Sequence, residues 1–518
     1  MKVGMYNRWL ATLGGGEKLS LTVAEYISRQ YPVTVISHIP VDKDLAASRL
    51  SLNLSNVEFE FISERLAPEI TPITSEYDLF INASFLDFFP CLSPKSVNLV
   101  YFPTPVDYEP VMKSRRIMKS ILRRLMLVPT FPTGVLSIEA GSISQIRGVE
   151  LPLTVHLPAL RREYILQFDI AAYKAVEHRL VVILNDQEIK HIILPMDKSF
   201  EHYELTVPAK GADSVHQLVI QDIGGESGLN LGEPDITLMN FIIHHPRYCL
   251  YQLLFERIFR RWGLRLYNLP PGVFSILKSV DTYDAIWGIS EFSRYWIEQY
   301  WHKQCEILTP PVNVEDFQPL EKKNQILNVG RFFTGSHNKK HFVMINAFKE
   351  MVDEGLMGWE LHLAGGTTAG MEHEEYLKKV MAEVEGYPIT IHPNIAFKDL
   401  VKLYGESAIY WHASGFGEDE EKEPIKFEHF GITTVEAMAA GCVPVVIGKG
   451  GQPEIVRDGE TGFLWMTIDD LKIHTLKLTR DPRMRQQISL AAEAESHNYD
   501  EEHFNLNLNH LLKKIGVI

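Results

Sequence analysis

Cysteine is scarce in this chain. Cys91, Cys249, Cys305 and Cys442 are the only four in 518 residues, and no two share a metal-binding spacing. That argues against a disulfide framework or a zinc module, and for reduced, mostly buried thiols of a cytoplasmic protein. Positive charge is also in deficit: 51 Lys and Arg face 66 Asp and Glu, a net charge of −15. That balance argues against a dedicated nucleic-acid binder, because phosphate affinity comes from clustered cations. No apolar run approaches the roughly 20 residues needed to span a bilayer. Met1-Lys2-Val3-Gly4-Met5 leads directly into a strand, so no signal peptide is expected. Tandem repeats and low-complexity tracts are missing too. What remains is the composition of ordinary soluble protein, 45% hydrophobic and 23% charged, in a chain too long for a single core.

Strand and helix patterns alternate at the start. Lys2–Tyr6 reads as a strand, Gly14–Gln30 as a helix opened by a Gly triplet, and Val33–Ser37, Asp78–Ala83 and Val97–Phe102 as further strands. Such alternation implies a parallel, doubly wound sheet with ligands beyond the carboxyl ends of its strands. From about residue 131 the pattern changes to short apolar alternations, among them Tyr164–Ile170, Leu180–Leu184, His191–Leu194, Tyr203–Val207 and His216–Ile220, with turn residues at Asn185-Asp186 and Gly211-Ala212-Asp213. These predict an antiparallel β-sandwich inserted into the first domain. A second α/β set follows, with strands at Gln325–Gly330, Glu360–Ala364, Ile389–His392, Ala408–His412 and Val443–Ile447. The expected boundaries are 1–130, 131–246 for the insert, 247–312, 313–495 and a final helix in 496–518 that packs back on the first domain.

Glu428 and Glu436 carry the most information. They bracket Glu428-His429-Phe430-Gly431-Ile432-Thr433-Thr434-Val435-Glu436, and the residues after them read as the rest of a helix, the stop at Gly441 and a buried strand. The first carboxylate lies in the loop before the helix and the second about one turn inside it. Gly431 lets backbone N–H groups approach a ligand where the helix N-terminus favours anionic oxygens. One acid suits sugar hydroxyls and the other a ribose, with the amides left for a diphosphate, so the pattern describes a nucleotide-sugar site. Acids near a helix start also occur simply because they complement the macrodipole. Upstream, Arg331 follows a predicted strand, with Lys339 and Lys340 close behind. Fixed cations stabilise a diphosphate leaving group more in the transition state than in the ground state.

The stretch EHFGITTVEAMAAGCVPVV, followed by Gly450-Gly451-Gln452-Pro453-Glu454, resembles the donor-binding signature of family-4 retaining glycosyltransferases of GT-B fold. The likeness covers most of 313–495 and, more weakly, the N-terminal half. It implies an α/β architecture of two Rossmann-like domains facing a cleft. By the same resemblance Arg331 and Lys339 neutralise the leaving diphosphate, Glu428 contacts the donor sugar and Glu436 the ribose. His429, Phe430, Gly431, Ile432 and Thr433 line the donor. Gly14, Gly15 and Gly16 match the GGxE loop of the N-terminal half, and Lys18-Leu19 shows that this is not a Walker A motif. Transfer with retention and without metal or other cofactor is implied, and no DxD-like carboxylate pair stands beside a strand in the expected place.

The sequence departs from the family at Tyr101, where many relatives carry a donor-contacting His. His412, at a strand end, reads equally as a donor contact or a structural His. Glu418–Glu423 forms an acidic loop, solvated or closing over the donor. Lys113, Arg115, Arg116, Lys119, Arg123 and Arg124 interleave with apolar residues, and Arg257, Arg260, Arg261 and Arg265 repeat the theme. Such a stretch suits either a solvated helix face or peripheral contact with anionic lipid. EHFGITTVEAMAAG, Ile289-Ser290-Glu291-Phe292 and Pro310-Pro311-Val312 look similar to GDP-mannose-dependent enzymes that extend lipid-linked glycans. The expectation is a mannosyl transferase acting from a GDP- or UDP-linked donor onto a glycan or lipid-linked acceptor, at the cytoplasmic face of a membrane. The alternatives are a nucleotide-sugar epimerase of the same fold, or a degenerate carbohydrate-binding scaffold.

Overall fold

A computed structural model describes residues 1–62, 67–105, 125–138, 146–173, 177–195, 199–209, 215–223, 235–254, 273–335, 338–367 and 371–518. The chain divides into two compact units, Met1–Pro105 with Lys278–Ile518, and Val106–Leu277. The basic residues at 113–124 and 257–265 lie outside the described residues.

The first unit holds two all-parallel sheets. In the first sheet the strands run Glu306–Ile307, Ala285–Gly288, Lys95–Val100, Leu79–Asn82, Val3–Tyr6, Val33–Ser37 and Val57–Phe61. In the second they run Ile389–Pro393, Glu360–Gly365, Lys323–Val329, Ser407–His412, Val443–Ile447 and Phe463–Trp465. In each sheet the first strand in sequence lies centrally, the next two extend to one side and the fourth begins the other. The connections therefore reverse direction beside the first strand, and a crevice opens at the carboxyl ends of the first and fourth strands. Val3–Tyr6, Leu79–Asn82, Ser407–His412 and Val443–Ile447 are buried at every position, as strands covered on both faces must be.

Three strands of these two sheets escaped the sequence reading, among them the two-residue edge strand Glu306–Ile307. Val57–Phe61 is an edge strand whose burial alternates, and Phe463–Trp465 is only three residues long. The final helix, Glu501–Lys514, buries Phe504, Leu508, Leu511 and Leu512. Within this unit the first lobe is built on the sheet of Val3–Tyr6 and the second on that of Lys323–Val329, and the C-terminal segment is tied to the first lobe, Asn507 Nδ2 donating to the Ile307 carbonyl and Tyr31 Oη to that of Val517.

The second unit carries eight antiparallel strands between Thr130 and Ile243. The expected pair of stacked sheets is, among the described residues, one continuous hydrogen-bonded sheet. The reason is the 13-residue strand Ile146–Pro158, which pairs with Val215–Asp222 along its second half and with Ile236 through Val149, joining what would otherwise be two halves. Inward residues from across the sheet, such as Leu153, Phe168, Val182, Leu218 and Phe241, share one core. Tyr248 and Tyr251, on the short helix after the last strand, belong to that core as well.

Candidate active site

The second lobe gathers its charged residues at the crevice of its own sheet. Lys323–Val329 delivers Gly330 and Arg331 there, and the neighbouring Ser407–His412 ends at His412. Lys339 folds back against Gly330, where any Cβ would lie 2.5 Å from Lys339 Cγ. Its Nζ reaches Glu428 Oε2 at 2.5 Å, and His412 Nε2 lies 3.1 Å from the same oxygen. Lys339 and Glu428 remain 19% and 21% exposed, so the pair faces the cleft. Burial pushes the Glu428 carboxyl up, but the Lys339 ammonium and the His412 hydrogen bond together hold it well below the usual carboxylate range. Burial lowers the basicity of His412 in turn, so a neutral ring donates Nε2–H to the carboxylate. Glu428 is thus an oriented anion.

The chain turns sharply beside Lys339. Lys340 adopts φ 58°, unusual for a long side chain, and sends its Nζ to Glu418 Oε1 at 2.6 Å. Lys426 holds the other oxygen of Glu418 at 2.9 Å, and Glu420 Oε1 accepts from the Gly450 N–H at 3.1 Å. Lys426 also holds Glu423 Oε2 at 2.9 Å, so the acidic loop is anchored through Glu418, Glu420 and Glu423.

Gly431 makes the entry to the helix Ile432–Ala439 possible. Its φ is 123°, and a Cβ there would sit 2.3 Å from Gln452 Nε2. Within the helix Glu436 is half-buried, and Tyr404 Oη donates to its Oε2 at 2.8 Å. Burial pushes the Glu436 carboxyl up to about 7, against the opposing influence of Tyr404 and the Lys18 ammonium. Tyr410 Oη donates to Thr433 Oγ1 at 2.8 Å, and buried Phe430 packs edgewise on Tyr499. Phe430, Gly431, Ile432 and Thr433 thus share one turn between the two acids, and His429, beside Glu428, stacks on Phe102 of the first lobe at 4.2 Å.

The first lobe supplies the opposite wall. The helix Gly15–Ser28 starts at the Gly triplet, and a Cβ on Gly15 would meet Ile432 Cδ1 at 2.9 Å, so the N-termini of two helices approach each other. The Gly14 N–H is taken by Glu17 Oε2 at 2.9 Å, which also accepts from Thr12 Oγ1 at 2.6 Å. Tyr101 Oη donates to the Gly16 carbonyl at 2.8 Å, bracing this loop. Arg331 is exposed, with its guanidinium 5.7 Å from the Phe333 ring centre, and makes no contact with the Lys339–Glu428–His412 cluster among the described contacts.

Three residues to which the sequence reading gave no role at the site border it: Lys18, Tyr404 and Tyr410. Lys18 follows the Gly triplet, and a cation one turn into a helix that faces an acid was the available signal. The two tyrosines lie 32 and 23 residues from the atoms they bond, Tyr404 to Glu436 and Tyr410 to Thr433, and nothing local announces the pairings. Among the described residues no three His, Cys, Asp or Glu side chains are grouped to hold a metal ion.

Residues 313–495 match the family described as Glycosyl transferases group 1. A GDP-Man:Man(3)GlcNAc(2)-PP-Dol alpha-1,2-mannosyltransferase from Xenopus laevis is 27% identical over 262 residues, 47% of this chain and 50% of the relative. The alpha-1,3/1,6-mannosyltransferase ALG2 of Dictyostelium discoideum is 24% identical over 285 residues, 48% of this chain and 66% of the relative. The chain spans about half the length of the first of these curated relatives. Among solved structures, a glycosyltransferase from Rickettsia africae superposes with a TM-score of 0.52 at 11% identity, over 99% of this chain and 98% of the other. Anabaena Alr3699/HepE in complex with UDP and glucose does so with 0.51 at 11% identity, over 99% and 100%. At that identity the superpositions speak for the fold alone. Residues 313–495 therefore carry the likeness to the group 1 glycosyltransferases, and the chain as a whole is built on the GT-B fold.

Proposed function

We propose that the chain is a retaining, metal-independent mannosyltransferase that moves mannose from GDP-mannose to a glycan or lipid-linked acceptor. The observation that carries this reading is the contrast between Glu428, held as an anion by Lys339 and His412, and Glu436, sited one helical turn beyond Gly431. Glu428 is an acceptor for hydroxyls of the donor sugar. Glu436 takes the ribose hydroxyls, and the N–H groups that open the helix Ile432–Ala439 face the diphosphate. Lys339, beside Glu428, neutralises charge as the sugar–phosphate bond breaks, and exposed Arg331 is free to turn toward the same oxygens. With no metal invoked, these cations and the helix dipole carry that stabilisation.

The choice of mannose and of a lipid-linked acceptor follows the printed activities of the mannosyltransferase relatives. A GDP-linked rather than UDP-linked donor follows them too, and a nucleotide sugar is the only small molecule the reaction then needs. No helix among the described residues is long and apolar enough to cross a membrane. We place the protein in the cytoplasm, at a membrane face bearing the acceptor, with the basic segments at 113–124 and 257–265 touching anionic lipid. Nucleic acid has no part in this reading.

The test is transfer from labelled GDP-mannose to a lipid-linked oligosaccharide in the presence of EDTA. An α-mannosidase-sensitive product is expected, with Glu428→Gln inactive. Transfer only from a UDP-sugar, or only with added divalent metal, would overturn the donor or the metal assignment respectively.

A further inference from the structure

The donor loop is held from outside its own lobe. His429, next to Glu428, stacks on Phe102 with ring centres 4.2 Å apart and planes 15° apart, and on Phe292 at 6.3 Å and 24°. Its carbonyl accepts Ser290 Oγ–H at 2.5 Å. Phe102, Ser290 and Phe292 all come from the first lobe, just beyond the ends of Lys95–Val100 and Ala285–Gly288. All of these groups except the helix-borne Phe292 are buried below one-tenth exposure.

A second tie runs the other way. Both oxygens of Glu454, in the second lobe, accept from the first N–H groups of the helix Glu291–Trp301, Glu291 N at 2.8 Å and Phe292 N at 2.6 Å. Ser290 caps that helix by accepting from Ser293 N at 3.0 Å, and Ser293 Oγ donates to the Tyr101 carbonyl at 2.8 Å. One hydroxyl, that of Ser290, therefore both starts a first-lobe helix and grips the second-lobe residue adjoining the donor acid.

We propose that His429 and Ser290 are positioning residues that couple closure of the two lobes to the placement of Glu428. With the lobes together, the Phe102 stack and the Ser290 hydrogen bond hold the peptide before Phe430, and Glu428 presents its carboxylate to Lys339 and His412. With the lobes apart, the loop loses its outside support and the carboxylate its register. Donor is then committed to transfer only in the closed cleft. The inference rests on the reading of the cleft as a sugar-transfer site.

The experiment compares the full-length chain with Ser290→Gly, Ser290→Thr and Phe102→Leu. Glycine is nearly as good a helix cap as serine but removes the hydroxyl that His429 uses, whereas threonine keeps it. Turnover and KM for GDP-mannose, GDP affinity, and hydrogen exchange of the peptide spanning 427–432 are measured on each. Ser290→Gly is expected to lose turnover by roughly ten- to a hundredfold, the scale of misplaced reacting groups. GDP affinity should stay within about twofold, because Glu436 and the helix start are untouched, while the 427–432 amides exchange about tenfold faster. Ser290→Thr should restore both readouts, and Phe102→Leu should repeat the faster exchange by an independent route. Wild-type turnover and exchange in Ser290→Gly would overturn the proposal, as would slower turnover with unchanged exchange. If wild type itself transfers nothing from GDP-mannose, the functional reading fails, and the exchange comparison still decides whether the loop is held in this way.

Discussion

Glu428 and Glu436 lie eight residues apart on one loop and helix, both partly screened from water, yet their carboxyl groups are driven in opposite directions. Burial raises both. At Glu428 it is outweighed by a lysine at 2.5 Å and a histidine at 3.1 Å, and the group is held well below the usual carboxylate range. At Glu436 a neutral tyrosine and a more distant lysine do not outweigh it, and the group rises to about 7. The lesson is that spacing from a helix start does not set a carboxylate's charge; the cations brought in from elsewhere in the fold do. Glu428 is a fixed anion, while Glu436 gains its charge only near neutral pH.

Removing the fixed anion has the largest expected effect. Glu428→Gln should lower turnover on the order of 10³-fold while GDP binding stays within a few-fold, measured by steady-state kinetics and calorimetry. Unchanged turnover would sink the site assignment. Lys339→Met comes next, with a loss on the order of 10²-fold. It should also turn Glu428 into a second Glu436: without the ammonium, burial dominates, and the pH profile of the residual turnover should gain an acid limb that wild type lacks.

The third way to sharpen the contrast is pH. Because the folded chain holds the Glu436 proton more tightly than the unfolded chain, its contribution to stability is full below about 4.5 and lost as pH rises toward about 7. Glu436→Gln should therefore gain about 1–3 kcal/mol over wild type at pH 8 and nothing at pH 4.5, read by denaturant unfolding. GDP affinity of wild type should fall as pH drops below about 7, since a protonated acid accepts ribose hydroxyls poorly. The smallest effect belongs to Tyr404→Phe. Losing the hydroxyl should move that acid limb of GDP binding to higher pH by less than about one unit.

Both parallel sheets could be read in the sequence because their central strands are short, rich in apolar residues and set between helical stretches. Phe463–Trp465 was too short to show a period, whereas the alternation of Val57–Phe61 was there to be seen. Glu428, Gly431 and Glu436 stood out because they share one loop and helix start. The contact of His412 with Glu428 did not, since it depends on which strands are neighbours in the sheet. Tyr101 stood out in the sequence as a departure from the family pattern, but its use as a brace for the Gly16 carbonyl required the fold. A run of acids at 418–423 suggested a solvated or moving loop, and the lysines that anchor Glu418 come from two separate turns. Packing of the second unit as one sheet hinged on a single long strand that bridges both halves.

The most direct test of the central claim, that this cleft is a donor site for a GDP-sugar, is the thermal and chemical stability of the chain at pH 8 with GDP, UDP and ADP. GDP at a hundred times its Kd should stabilise the folded chain by about 2.7 kcal/mol, with UDP and ADP giving less at equal concentration, and Glu436→Ala should abolish the response. No stabilisation by GDP, or an undiminished one in Glu436→Ala, would contradict it.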